Sequence, residues 1–143
     1  MGLFNKAKLL EKQKLEVVRV DLSDEDFVYV SQMTGRARDR FERSLMRETK
    51  DMKGKVTGYE QNLEDFRAKL VAATVCDENG VLLLEPKDAV LLSQNMAAAR
   101  LEKIVVAAQK LNAITEEDKE ALTKNSEADL VGNSNSDSAE SLE

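Results

Sequence analysis

Four arginines have a spacing that could do chemistry. Arg36, Arg40, Arg43 and Arg47 recur at i, i+4, i+7 and i+11, the interval that lines side chains along one face of a helix. A stripe of that kind docks anions, whether carboxylates on a protein or phosphates on a nucleic acid. Carboxylates are the other abundant reactive group, in Asp24-Glu25-Asp26 and Glu116-Glu117-Asp118. Both clusters sit in turn or cap contexts with nothing apolar beside them to raise a pKa, so they are poor general acids.

The rest of the catalytic vocabulary is thin. The chain has no His, which removes the commonest general base and metal ligand. Ser and Cys therefore have no imidazole to activate them. Its single Cys, Cys76, cannot form an internal disulfide and fits a reducing compartment. Zinc sites built from several Cys or His ligands are excluded. Gly54, Gly58 and Gly80 match no phosphate-cradling loop. Asp77-Glu78-Asn79-Gly80 has a passing likeness to a calcium loop, but lacks the alternating ligands and the closing Glu. The sequence points away from an enzyme and requires no cofactor or metal.

The elements that must carry these residues follow from pattern. Of 143 residues, 42% are hydrophobic, 34% charged and only 4% aromatic, so the core must come from Leu, Val, Ala, Ile and Met. One Pro and six Gly favour helix over an all-β sandwich. Residues 1–14 read as a basic arm, with Leu3, Ala7 and Leu10 on one helical face. Leu15 to Leu22 alternates and is rich in β-branched residues, as is Phe27 to Val30. With Ser23-Asp24-Glu25-Asp26 between them they predict a hairpin. The rival is a helix capped by Ser23, for which Phe-Val-Tyr-Val is a poor opening.

Thr34 is a good N-cap for a helix from Gly35 to about Met52, with Phe41, Leu45 and Met52 on its apolar side. Arg38–Glu42 and Asp39–Arg43 are opposite-charge pairs on it. A loop or hinge is expected at Gly54 and Gly58. Asn62 caps a helix from Leu63 to about Thr74. Asn79-Gly80 marks a turn, across which Val75-Cys76 and Val81 to Leu84 form a small second hairpin. Pro86 opens a helix from Lys87 to about Ser93. Asn95 to Leu111 reads as a helix whose Ala97, Leu101, Ile104, Ala108 and Leu111 form one stripe. That stripe is either core or a docking face for a partner helix. Asn112 stops it, and Thr115-Glu116-Glu117-Asp118 is a capping box for a short last helix ending at Asn125.

The expected fold is mainly α with a small N-terminal β-hairpin, an α+β fold being the minor alternative. A compact helical domain spans 15–125, and an acidic, Ser/Asn-rich tail, flexible by composition, spans 126–143. No apolar run reaches the ~20 residues of a membrane helix, and the first residues lack a signal-peptide cleavage site.

Charge is segregated along the chain. Gly35 to Lys55 holds eight cations and four anions, a net of +4, while Thr115 onward holds two cations and nine anions, a net of −7. The two ends could associate head to tail between subunits, or the tail could fold back on its own helix. Ordinary solvated surfaces would look the same.

Three phrases, in order, resemble the tail assembly chaperones of long-tailed bacteriophages. The first is Phe27-Val28-Tyr29-Val30-Ser31-Gln32-Met33-Thr34-Gly35-Arg36-Ala37-Arg38-Asp39-Arg40-Phe41-Glu42, a short strand meeting a charged helix start. The second is Lys69-Leu70-Val71-Ala72-Ala73-Thr74-Val75-Cys76-Asp77-Glu78-Asn79-Gly80, a helix running into an acidic Asn-Gly turn. The third is Ala107-Ala108-Gln109-Lys110-Leu111-Asn112, followed by an acidic helix and Lys124-Asn125-Ser126. Together they cover about residues 15 to 126; the basic arm and the Ser/Asn tail fall outside the pattern.

The resemblance implies a non-catalytic phage or prophage protein that works in the bacterial cytoplasm and is absent from the mature virion. Its implied partners are the tape measure protein, which it keeps soluble, and the tail tube protein, with self-association. The residues that could meet them are Arg36, Arg40, Arg43 and Arg47 on one face and Leu101 and Ile104 on another. The competing classes are a small structural virion protein, such as a head–tail connector or tube component, and a nucleic-acid-binding regulator. Against the latter stand the interleaved acids, a pI near 4.9 and the lack of aromatic stacking residues beside the arginines.

Overall fold

The computed structural model describes residues 2–114. The capping box at Thr115, the helix expected to follow it and the tail at 126–143 lie outside the described residues. The described elements run α1 (Lys6–Leu10), β1 (Val17–Asp21), β2 (Phe27–Ser31), α2 (Gly35–Arg43), β3 (Met46–Lys50), β4 (Val56–Gln61), α3 (Phe66–Thr74), β5 (Val75–Cys76), α4 (Asp88–Asn95) and α5 (Ala98–Leu111).

The N-terminal hairpin forms for the reason its residues suggest. Ser23 Oγ accepts from the amides of Glu25 and Asp26, and the Leu22 amide donates to the Asp26 carbonyl at 2.8 Å. The chain reverses there instead of starting a helix. β1 and β2 pair antiparallel in the register Val18 to Val30 and Val20 to Val28. Those four valines face the core, while Arg19 stacks over the Phe27 ring at 3.8 Å on the other face. β5 then adds to β2, giving a three-stranded sheet in the order β1-β2-β5.

The expected mainly-α class is wrong. The described residues form five helices and five strands, the strands in two antiparallel sheets, an α+β fold. The largest error is the helix drawn from Gly35 to Met52. It stops at Arg43, where the Ser44 amide turns back to the carbonyls of Arg40 and Phe41. Leu45, 1% exposed, plunges into the core beside Phe41, and the chain leaves as strand β3. β3 pairs with β4 as a separate two-stranded sheet, so the region read as a hinge at Gly54 and Gly58 is a hairpin. Met52, expected on an apolar face, is fully exposed. Gly54 lies in the connecting turn with φ +84, and Gly58 lies within β4.

α3 also starts later than expected. Asn62 Oδ1 accepts from the Glu64 amide, and Asp65 takes a left-handed φ of 62 before the helix begins at Phe66. That bend lets Leu63 and Phe66 both pack against the core. α3 is buried along most of its length and carries both remaining helices. α4 packs through Ala89 onto Ala68 and Ala72, small residues that allow close approach. α5 packs through Leu101, Ile104, Val105 and Ala108 into the larger cluster with Val30, Leu70 and Val71.

Asn112 ends α5, as its type suggests, and also fastens the layers together. Its Oδ1 accepts from the Met33 amide at 2.6 Å, and its Nδ2 donates to the carbonyls of Ala108 and Ser31. Arg38 Nη1 donates to the Asn112 carbonyl at 3.0 Å. The end of α5, the end of β2 and the start of α2 therefore meet at one residue, through its side chain and its carbonyl.

Candidate functional site

Thr34 caps α2 through its Oγ1, which accepts from the Ala37 amide at 3.1 Å. The helix then turns Phe41 inward onto Phe66, with ring centroids 5.9 Å apart. Arg36, Arg40 and Arg43 are exposed on its outer side. Arg38 differs from them: its Nε pairs with Glu42 Oε2 at 3.0 Å while its other arm holds Asn112. Among the described residues no ion pair engages Arg36, Arg40 or Arg43.

The six residues expected to meet a partner separate into three groups. Arg36, Arg40 and Arg43 stay together as a basic face. Arg47 leaves it, because the helix has already ended; on β3 it pairs with Glu60 of β4 at 2.7 Å, across the hairpin. Leu101 and Ile104 are 5% and 1% exposed and belong to the core. Their stripe is the face by which α5 packs on α3 and β2, so it offers no surface to a partner.

The apolar surface lies elsewhere. Val81, Leu83 and Leu91 are 62%, 59% and 61% exposed, with Leu82 and Val90 beside them in chain order and also exposed. Val81 to Leu83 forms the outer limb of the turn after β5. The Asp77 amide to Val81 carbonyl bond at 2.9 Å, the Cys76–Leu82 bridge and the Leu83 amide to Val75 carbonyl bond at 3.1 Å hold it to β5 and its turn. A continuous run of apolar residues in such a limb cannot be buried on both sides. The signal was present in Val81-Leu82-Leu83-Leu84, where the lack of alternation at a sheet edge forces some of these side chains into solvent.

Two grooves meet at Leu84. One, of about 730 Å³, runs along α4 and the start of α5 past Leu91, Leu92, Met96 and Arg100. The other, of about 260 Å³, lies between α2 and α3, with Phe41, Ala72 and Leu82 in its walls and Arg40 and Lys69 as its cations. The basic face of α2 is thus continuous with an apolar groove. Neither groove contains an arrangement for bond-making chemistry. Among the described residues no group of three or more Cys, Asp or Glu is placed to hold a metal ion.

Cys76 is buried in β5, opposite Tyr29. Burial pushes its thiol up from the ordinary value; a hydrogen bond to Ser31 opposes that, and the Asp77 charge adds to it. A protonated, enclosed thiol is a poor nucleophile. No helix among the described residues is long and apolar enough to cross a membrane. No protein-family model, curated protein or solved structure matches this chain.

Proposed function

We propose that this chain is a non-catalytic docking protein. In particular, it acts as a tail assembly chaperone of a long-tailed phage or prophage. It binds the apolar, helical tape measure protein in the bacterial cytoplasm, keeps it soluble and assists assembly of the tail tube subunits around it.

The observation that carries this reading is the exposure of two apolar stretches, Val81 to Leu83 and Val90-Leu91, of which Leu82 and Leu91 line the two grooves that share Leu84. A chaperone for a long helix needs an open apolar surface that docks many similar segments weakly, and an enclosed pocket would defeat that purpose. Exposed apolar patches of this kind mark interaction sites. The three-phrase likeness to the chaperone family supports the same reading. The partner surface proposed here replaces the Leu101 and Ile104 stripe, which the core consumes.

Co-expression with a tape measure protein tests it. The tape measure protein is expected to be soluble and to co-purify with the wild-type chain. The double variant Leu83→Glu, Leu91→Glu should lose that effect while keeping the wild-type melting temperature, since both side chains are exposed. A tape measure protein equally soluble with and without this chain would refute the assignment.

A further inference from the structure

We propose that the acidic stretch 115–131 of this chain docks in cis on the basic face of α2 and the groove beside it, covering that surface until a partner displaces it. This inference is independent of which partner the protein serves.

Three observations converge on it. The first is charge. Residues 115–131 carry six anions, Glu116, Glu117, Asp118, Glu120, Glu127 and Asp129, against Lys119 and Lys124, a net of −4. The receiving face presents Arg36, Arg40 and Arg43, exposed and without an ion pair among the described residues, with Lys69 across the groove.

The second is the apolar complement. The groove next to Arg40 is walled by Ala37, Phe41, Ala72, Leu82 and Leu84. The acidic stretch interrupts its charges with Ala121-Leu122 and Leu130-Val131. A segment that carries both carboxylates and short aliphatic runs suits a groove with an apolar wall and a cationic rim. A nucleic acid would match the cations and leave the apolar wall uncovered.

The third is where the chain emerges. Ile114, the last described residue, is buried in the main core cluster, and Arg38 of α2 grips the carbonyl of Asn112 two residues before it. The acidic stretch therefore begins beside α2. That helix is about 13 Å long at ~1.5 Å per residue, a distance that about four extended residues cover. Seventeen residues reach every point of the face. Tethering gives the segment an effective concentration in the mM range, so weak exposed pairs suffice to hold it. Because each pair is weak, a partner with a larger complementary surface can replace it.

A nitroxide attached at Ser126→Cys in the full chain tests the proposal; buried Cys76 leaves the introduced thiol as the reactive one. The amide signals of Arg36, Arg40 and Arg43 are expected to broaden at about 0.01 M salt and to recover at about 1 M, where screening shortens from ~30 Å to ~3 Å. In the variant Arg36→Gln, Arg40→Gln, Arg43→Gln they should stay sharp at low salt, with core signals unchanged. Equal broadening in wild type and variant would mean proximity without docking and would overturn the proposal. So would the absence of broadening in wild type. A mixture of nitroxide-bearing unlabelled chain with nitroxide-free, isotope-labelled chain separates the remaining case: broadening of the labelled chain's signals at residues 36, 40 and 43 in that mixture would place the segment on a second copy and overturn docking in cis.

Discussion

Two turns in this protein are built alike and end up in different worlds. Asp51-Met52-Lys53-Gly54-Lys55 and Asp77-Glu78-Asn79-Gly80-Val81 share one design. In each, the Asp Oδ1 accepts from the amides two and four residues on, its own amide donates to the fifth carbonyl at 2.9 Å, and the Gly sits at φ +84 or +85. The first turn closes β3 and β4, a two-stranded sheet whose side chains are mostly exposed. The second follows β5, whose Val75 and Cys76 are buried and paired with β2. Turn chemistry fixes local geometry in both. Whether the hairpin joins the cooperative core depends on what the flanking residues can bury, since an isolated two-stranded hairpin is marginal in water.

The contrast breaks most visibly through the core behind β5. Leu70 is fully buried on α3, five residues before Val75. Leu70→Ala should cost about 2–5 kcal/mol through lost burial and a cavity. Met46→Ala, on mostly exposed β3, should stay within roughly 0.5 kcal/mol. Denaturant melts of both variants check this; similar losses would mean that the β3–β4 hairpin is part of the same cooperative unit.

Asn112→Ala comes next. It strands the buried-side Met33 amide and the Ser31 carbonyl, and should cost about 1–3 kcal/mol. Hydrogen exchange should quicken at Met33 and along β2 while β3 and β4 keep their wild-type rates. Unchanged exchange at Met33 would remove Asn112 as the fastener.

The glycines give the sharpest comparison. An added Cβ meets nothing within 4 Å at Gly54 and only an ordinary 3.7 Å contact with Val17 at Gly80. Both substitutions to Ala therefore carry the same left-handed strain, about 1–2 kcal/mol. Gly80→Ala should lower the global melting temperature. Gly54→Ala should instead speed hydrogen exchange in β3 and β4 and leave the melt almost unchanged. Equal shifts in the global melt would erase the distinction between the two hairpins.

The smallest effect is on pH. The Cys76 thiol is raised from 9.0 chiefly by burial. Its folded value lies above its unfolded value, so its contribution is complete below about pH 9 and is lost as pH climbs further. Subtracting the stability curve of Cys76→Ala from that of wild type should leave a decline confined to the alkaline side. A flat difference would show that the thiol is as accessible as in the unfolded chain.

Much of the fold was legible in short-range signals. The Ser23 turn, the Thr34 cap, the Asn79-Gly80 turn and the Pro86 helix start act where their types suggest, because each works through hydrogen bonds to residues within four positions; the Asn112 stop also has a local bond, to the Ala108 carbonyl, beside its long-range ones. The repeated Asp-x-x-Gly pattern at Asp51 carried the same information, and was masked by charged residues that fit a helix equally well. The basic face survived only where α2 survived: Arg47 left it when Leu45 found a place in the core.

By itself, the sequence determined the supply of chemistry: no His, one Cys, a basic segment and an acidic one, and a stripe on α5 that had to be buried by something. Tertiary structure alone decided what did the burying. Leu101 and Ile104 became core because α3 and β2 lie across them, and Val81 to Leu83 became surface because β5 already occupies the edge of β2. Apolar side chains are interchangeable in a pattern, and the interior of a small domain holds only some of them; long-range packing chooses which remain for a partner.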